Sequence, residues 1–406
     1  MRMLEPIRQA ANFLVSPWKR KDRGVFAAAG GSSAGVAVTR DAAMEVSSVM
    51  ASVSCIAQDI GQIPLELWEE RVVGDRRMQY RAAWAREYTL FTRGPNSYQT
   101  PQQWIEQILY HCLIFGKYFA NKTYVGGFVD ELHPFDDPSR VKVSREDGRL
   151  QYELLDGDAG LYAGRYTDEQ VLYIPGPSPD GYLGRDIATS LRQPLGIALA
   201  LSLHANTFFS KGGYPSVILI LPEGTKEADR KIAKEKFEEL YNGSGRSHVA
   251  VYSRGTELTR LESDPQKAQA LESRQQNASD IASSMRVPEW RIRQQTPPSH
   301  QAWRDYIAIT LGPWMERVRA GLEKHILGGV GGGPSSPRLY LAWDQERLLE
   351  LDFPSQVAAY RQAIDGRILN PNEVRERLGF NPYAEGGAYV NPHTTAFADP
   401  ATQGGE

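Results

Sequence analysis

The chain has 406 residues, of which 41% are hydrophobic and 23% charged, so it can bury real cores and is not a disordered polyelectrolyte. Its formal net charge of −3 argues against a protein whose main task is tight binding of nucleic acid, because that task needs a surplus of lysine and arginine. Only Cys55 and Cys112 occur, which argues against a disulfide framework and makes a reducing compartment the expected one.

The first half of the chain predicts an arm followed by mixed helix and strand. The stretch GVFAAAGGSSAGVAV is rich in small residues, so we expect residues 1–39 to form a flexible arm. A stripe of valine and isoleucine at helical spacing predicts a helix between Asp41 and Gly61. A capping-box pattern at Thr100 predicts a second helix, and strand-like segments broken by turns fill residues 117–174.

The second half predicts two long helices that flank a small α/β unit. Helical patterns run over residues 186–211 and 263–286, and Pro194 predicts a kink in the first of them. Over residues 212–262 the sequence predicts a strand in PSVILIL, a charged helix, a strand in SHVAVYS and a further strand in TELTRLE. The predicted fold class is therefore α+β.

A third long helical pattern covers residues 302–327. Its apolar register contains Gly312 and Pro313, and a proline inside a helix removes a backbone hydrogen bond and clashes with the previous turn. We therefore predict a kink at these two residues. A glycine-rich connector, a strand in RLYLAWD and a short helical region over residues 355–379 follow.

Motifs for catalysis or metal binding are scarce in the sequence. The stretch GSSAG matches the G-x-S-x-G motif of serine hydrolases, but that chemistry needs a strand before the serine and a helix after it. The seven histidines show no ligand spacing, and the phosphate loop G-x-x-x-x-G-K-[ST] does not occur. We expect no enzymatic activity, no metal and no cofactor.

The strongest remaining candidate is the basic break between two helices, VPEWRIRQQTPPSHQAWR, at residues 287–304. Arg291 and Arg293 follow Trp290 in this stretch, and Glu289 is the only acidic residue in it. Arginines interleaved with an aromatic ring can contact phosphates without reading sequence. A solvated loop that its charges keep soluble accounts for the same composition. Composition alone leaves both interpretations open.

Six stretches, collinear over about 350 residues, carry a resemblance to a known family. They are VSSVMASVSCIAQDIGQIPLELWEE, RGPNSYQTPQQWIEQILYHCLIFGKYFA, YLGRDIATSLRQPLGIALALSLHANTFFSKGGYPSVILILP, RVPEW, TLGPWMERVRAGLEKHIL and GRILNPNEVRERLGFNPYAEGG. Together they resemble the HK97-like portal proteins of tailed double-stranded DNA phages. One departure is WRIRQQTPPSH, which replaces a short hydrophobic or glycine-containing sequence and a Ser/Thr-rich helix start in relatives.

This resemblance implies an α+β portal fold with a mixed α/β wing, long stem helices, a small α/β clip, a kinked wing helix and a short helical crown. By position it divides the chain into a flexible N-terminal arm (1–39), the wing (40–185), a stem helix (186–211), the clip (212–262), a second stem helix (263–286), the tunnel loop (287–301), the rest of the wing with its kinked helix and strand (302–353), the crown (354–387) and a flexible tail (388–406).

The same resemblance implies a ring of about twelve subunits at one capsid vertex of the virion, formed in the host cytoplasm, through which DNA is packaged and ejected. The implied partners are further copies of the chain, the terminase large subunit, the major capsid protein, the head-tail adaptor and double-stranded DNA bound non-specifically, with no membrane. The tunnel-loop residues expected at the DNA channel are Arg291, Arg293, Gln294, Gln295 and His300.

Two functions of other classes remain as alternatives. A membrane-associated oligomeric scaffold would use the basic N-terminal residues and the apolar run at residues 194–209, although that run is shorter than the roughly 20 apolar residues of a membrane span. A hydrolase would use Ser32 or Ser33 within GSSAG.

Overall fold

A computed structural model describes residues 32–73, 76–210, 217–221, 226–232, 235, 249–253, 264–328, 338–344, 353–378 and 380–389. The predictions for residues 1–31, for the strand in TELTRLE and for the end of the tail lie outside the described residues. Helices combined with small sheets confirm the predicted α+β class.

The described helices and strands follow the predicted order. The helices are α1 (Arg40–Glu45), α2 (Ser47–Gly61), α3 (Tyr88–Thr92), α4 (Pro101–Ile114), α5 (Ile187–Ser190), α6 (Arg192–Ser210), α7 (Asp264–Ser284), α8 (Glu289–Ile292), α9 (His300–Tyr306), α10 (Gly312–Leu322), α11 (Phe353–Asp365) and α12 (Pro371–Arg377), with a 3-10 turn at Pro138–Arg140 and π-helical turns at Ile307–Leu311 and Glu323–Leu327. The strands are β1 (Leu65–Val73), β2 (Arg76–Arg81), β3 (Lys117–Val125), β4 (Phe128–Pro134), β5 (Val141–Glu146), β6 (Arg149–Leu154), β7 (Gly164–Tyr166), β8 (Val171–Pro175), β9 (Val217–Leu221), β10 (Val249–Ser253) and β11 (Arg338–Trp343).

Three antiparallel sheets build the body of the protein, in the strand orders β11-β1-β2, β4-β3-β8 and β5-β6-β7. The pairing of β1 with β11, which sets Leu65 opposite Trp343, joins the two ends of the body across most of the sequence. Helix α4 starts at the predicted capping box, since Thr100 Oγ1 accepts from the Gln103 backbone N–H and the Gln103 side chain accepts from the Thr100 N–H.

Strand β3 lies between two hydrophobic clusters because successive side chains of a strand point to opposite faces. Tyr118 packs into the larger cluster with α2 and α4, and its hydroxyl accepts a hydrogen bond of 3.0 Å from Trp104 Nε1. Phe119 packs into the smaller cluster, where its ring stacks on Tyr173 at a centroid distance of 4.9 Å. The body therefore buries aromatic side chains on both faces of one strand.

A close backbone approach joins the end of α4 to the start of α5. Gly116 has φ of +72°, and a Cβ at this position would lie 2.5 Å from the backbone of Arg185. Only glycine fits such a contact in this conformation. The residue therefore fixes where the long helices leave the body.

The segment after residue 31 is more ordered than the predicted arm. Ser32 and Val38 are buried, and Ser33 Oγ donates a 2.7 Å hydrogen bond to Gln193 Oε1. Gly196 on α6 makes this packing feasible, because a Cβ there would lie 2.2 Å from the Ser32 side chain. A small-residue stretch predicts flexibility only where no close packing surface exists for it.

The predicted helix at residues 186–211 is two helices rather than one kinked helix. Leu191 separates α5 from α6 with φ of −113° and ψ of 27°. Pro194 then falls in the first turn of α6, where the missing N–H has no intrahelical partner to lose. The expectation of a kink at Pro194 is therefore wrong: the proline lies near the start of a new helix.

Helices α6 and α7 pair, and a small α/β unit lies between them in sequence. Asn277 Nδ2 donates a 3.1 Å hydrogen bond to the Pro194 carbonyl, and Leu195 and Ile281 are buried at this end of the pair. Strands β9 and β10 pair in parallel, with helical residues 227–232 between them. A parallel pair requires such a crossover connection.

Candidate functional site

Two residues other than glycine adopt the left-handed backbone conformation in the segment between α7 and α9, one at its start and one in its middle. Arg286 has φ of 60° and Gln294 has φ of 54°. Each ends a helix, since the following N–H groups, of Val287 and Gln295, donate to carbonyls five residues earlier at 2.9 and 2.8 Å. The segment is therefore a defined chain of caps around the short helix α8.

An aromatic cluster fixes α8 against α9. Trp290, Trp303 and Tyr306 lie with ring centroids 5.7 to 5.8 Å apart in tilted and edge arrangements. Such pairs add to the stabilisation that comes from burial alone. The first part of the segment is consequently held on the body and not extended into solvent.

A buried carboxylate fixes the same part of the segment electrostatically. Arg291 donates hydrogen bonds from both Nε and Nη2 to the carboxylate of Asp59 on α2, and the Nε–Oδ2 distance is 2.9 Å. The hydroxyl of Tyr306 donates to the same Oδ2 at 2.9 Å. Asp59 is 1% exposed, so this bidentate pair compensates a carboxylate that has little contact with water.

The protonation states follow from this geometry. Hydrogen bonding to Asp59 raises the pKa of Arg291, which therefore remains a cation. Burial raises the pKa of Tyr306, and the neighbouring Asp59 adds to the effect, so the phenol remains a donor. Burial likewise raises the pKa of the Cys55 thiol, which lies one helical turn from Asp59.

The other predicted tunnel-loop residues lie on the surface. Arg293 forms an exposed ion pair of 2.5 Å with Glu289 one turn earlier in the segment. Gln294, Gln295 and His300 are exposed, and His300 is the first residue of α9. The structure thus separates Arg291, whose head group is committed to Asp59, from four surface side chains that the sequence grouped with it.

Gly312 and Pro313 follow a π-helical turn. The Gly312 N–H donates to the Ile307 carbonyl, and Pro313 occupies the first turn of α10. A widened turn before the proline accommodates the carbonyls that its ring would otherwise meet. The long predicted helix of residues 302–327 is therefore a succession of α and π turns.

The arrangement carries no sign of metal or nucleophilic chemistry in the part of the chain that the structure describes. No group of three His, Cys, Asp or Glu side chains there could hold a metal ion. Ser33 donates to Gln193, and an amide oxygen is too weak a base to activate a serine. No helix within the described ranges has both the length and the apolar composition needed to cross a membrane.

Comparison with known proteins decides the family. A model of the phage portal protein family matches residues 47–379, which is more than half of the chain. This chain belongs to the phage portal protein family. The predicted resemblance is confirmed, and the match covers the body, both long helices, the 287–301 segment and most of the C-terminal helical region.

Two curated portal proteins are similar to this family member along most of its length. The probable portal protein of Streptomyces phage phiC31 is 27% identical over 327 residues, which cover 76% of this chain and 69% of that protein. The portal protein of Enterobacteria phage HK97 is 21% identical over 353 residues, which cover 84% of this chain and 80% of that protein.

Three solved structures share the fold. The crystal structure of an HK97 family phage portal protein from Corynebacterium diphtheriae is 14% identical with a TM-score of 0.50, over 77% of this chain and 97% of that one. A chain in the virion of a native gene transfer agent particle is 19% identical with a TM-score of 0.53, over 84% of this chain and 92% of that one. A chain in the neck of an empty gene transfer agent particle, computed with C6 symmetry, is 20% identical with a TM-score of 0.51, over 82% of this chain and 90% of that one.

The sequence interpretation missed Asp59, the residue that organises the segment. The signal was present, because Asp59 lies at helical spacing after Ser52 and Ile56 on the buried face of α2. A charged residue in a buried stripe requires a partner of opposite charge. Its partner, Arg291, is 232 residues further along the chain, and no local pattern identifies it.

Proposed function

We propose that this protein is the subunit of a closed ring of about twelve copies at one vertex of a phage capsid, through which double-stranded DNA is packaged and later ejected. The single observation that carries the proposal is the family match over residues 47–379. Relatives of the same fold that occur in a virion and in a neck with rotational symmetry support the location and the ring.

The segment at residues 287–301 is proposed as the tunnel loop that meets the DNA. The charges of this segment support weak contact with DNA. Arg291 is compensated by Asp59 and Arg293 by Glu289, so the exposed part presents the ion-paired Arg293 beside the neutral amides of Gln294 and Gln295. A ring repeats each side chain around one axis, and a duplex that must slide needs weak, non-specific and salt-sensitive contacts.

The remaining regions are assigned by their place in the portal fold. The β9–β10 unit between the two long helices is proposed as the clip, which docks the terminase large subunit and then the head-tail adaptor. Helices α11 and α12 are proposed as the crown inside the capsid, and the body as the wing that meets the major capsid protein. We propose no catalytic activity for this chain, and the ATPase of the packaging motor would belong to its partner.

Substitution of an exposed loop residue tests the proposal. Arg293→Glu would place a band of negative charge around the channel, so we expect assembled rings and reduced DNA packaging in a complementation assay. Arg145→Glu is the matched control, because Arg145 is an exposed arginine on β5, away from the loop. Packaging by Arg293→Glu that equals the control over a range of salt would show that the loop does not face DNA.

A further inference from the structure

A half-open cleft of about 370 Å³ lies where the long helices meet the body. Its walls come from the end of α4, from α5, from the end of α7 and from the first turn of α10 with the π-helical turn before it. The lining residues that matter for its chemistry are Arg185, Arg286, Arg317, Ile309, Pro313 and Trp314. These elements are not part of the proposed tunnel loop, although some of them adjoin its ends.

The charged side chains that line this cleft are all basic. Three arginines line it, and no aspartate or glutamate is among its described lining residues. Arg317 Nη1 donates to the carbonyls of Pro175 and Gly176 at 3.1 and 3.0 Å, and its guanidinium lies 5.8 Å from the Trp314 ring centroid. The side chains of Arg185 and Arg286 form no ion pair with any described residue.

Three arginines that line one concavity give it a positive potential, which favours the insertion of an anion. The shape of the cleft favours a single side chain over a duplex, because a rigid convex helix of DNA cannot enter a cleft of this volume. The rim is apolar, with Ile309 57% exposed and Pro313 exposed beside it. Arginine and tryptophan surrounded by apolar contacts are typical of the centre of a protein interface.

We propose that the cleft receives an acidic side chain of the neighbouring copy of this chain in the ring. The inference rests on the proposed ring. In a closed ring the contact is heterologous, so the cleft on one face of a subunit meets a different face of the next. Helix α6 follows α5, one wall of the cleft, and exposes a second set of apolar side chains, since Ile197 and Leu203 are 43% and 55% exposed.

Charge reversal in the full-length chain tests the inference. We expect Arg185→Glu with Arg286→Glu to raise the protein concentration needed for half-maximal ring formation by at least about tenfold, because like charges then face each other in the contact. Mass photometry of a dilution series measures this concentration. Arg185→Gln with Arg286→Gln should give a smaller shift, and Arg145→Glu should give none.

Each result separates the inference from the proposed function. Rings of the charge-reversed variant that form at the wild-type concentration would overturn the inference, as would normal rings that lose only DNA binding. Wild-type protein that forms no ring would contradict the proposed function itself. Circular dichroism reports whether the reversed variant folds. If it does not fold, the glutamine variant provides the test. When salt is raised from about 0.05 M to about 0.5 M, the concentration for half-maximal ring formation should change less for this variant than for wild type. An equal change in both proteins would overturn the inference.

Discussion

The start of strand β3 and helix α6 differ in how they place their large apolar side chains. Tyr118 and Phe119 are fully buried on opposite faces of β3, whereas on α6 Ile197 and Leu203 are about half exposed. Large apolar residues that lie exposed close together are typical of a surface that contacts another protein. The contrast fits the proposed ring, in which a neighbouring copy would cover the exposed residues of α6.

The largest expected effect concerns the body. Trp104→Ala removes a fully buried ring and the donor to the Tyr118 hydroxyl, so we expect the free energy of unfolding to fall by about 4 kcal/mol. Urea unfolding followed by tryptophan fluorescence and circular dichroism measures the change. Tyr162→Ala, at a side chain that is 85% exposed, is the control and should stay within about 0.5 kcal/mol of wild type. Equal losses in the two variants would break the contrast between core and surface.

The second-largest expected effect is a loss of stability of the body at acid pH. Burial lowers the pKa of His111 to about 4, so the folded chain takes up this proton only at lower pH than the unfolded chain, whose histidines titrate near 6.5. Stability from this residue is therefore complete above about pH 6.5 and is lost as the pH falls towards 4, by about 3 kcal/mol. His111→Leu should flatten the dependence of the free energy of unfolding on pH. A slope identical to wild type would contradict the burial of a neutral imidazole.

An intermediate effect is expected where the segment at residues 287–301 joins the body. Asp59→Asn leaves the guanidinium of Arg291 without its counter-charge, so the free energy of unfolding should fall by about 2 kcal/mol, less than for a wholly buried pair because Arg291 is one-third exposed. Glu289→Gln breaks the exposed pair with Arg293 and should change stability by less than about 0.5 kcal/mol. Chemical denaturation of both variants checks this ranking, and a larger loss in Glu289→Gln would reverse it.

The smallest effect on a single chain is expected on α6. Ile197→Asp with Leu203→Asp changes residues that are about half exposed, so the free energy of unfolding of the monomer should fall by only about 1 kcal/mol. Ring formation should nevertheless be lost, because two carboxylates would enter an apolar subunit contact. Sedimentation velocity separates the two results. Intact rings in this variant would place the subunit contact elsewhere.

Local signals predicted much of the fold. The capping box at Thr100 and the apolar stripe of α2 both appear where expected, because caps and periodic burial depend on neighbouring residues. The ends of α7 and α8 were harder to predict, because the left-handed residues Arg286 and Gln294 lack the glycine that marks such caps. Pro194 was misinterpreted as a kink because the break at Leu191 has no sequence signal of its own.

The candidate site was predictable in place but not in detail. Its position between two long helices follows from their periodicity. The grouping of Arg291 with Arg293 as equivalent basic residues does not describe the structure, since one contacts a buried aspartate and the other a surface glutamate. Pairing between α2 and the 287–301 segment depends on tertiary contacts across more than half of the chain, and composition contains no information on them.

Electron microscopy of the purified full-length chain tests the central claim most directly. Class averages of negatively stained particles should show closed rings with rotational symmetry and a central channel wide enough for a DNA duplex. A population that contains only monomers and dimers, at every salt concentration at which the protein remains folded, would contradict the assignment of this chain as a portal ring subunit.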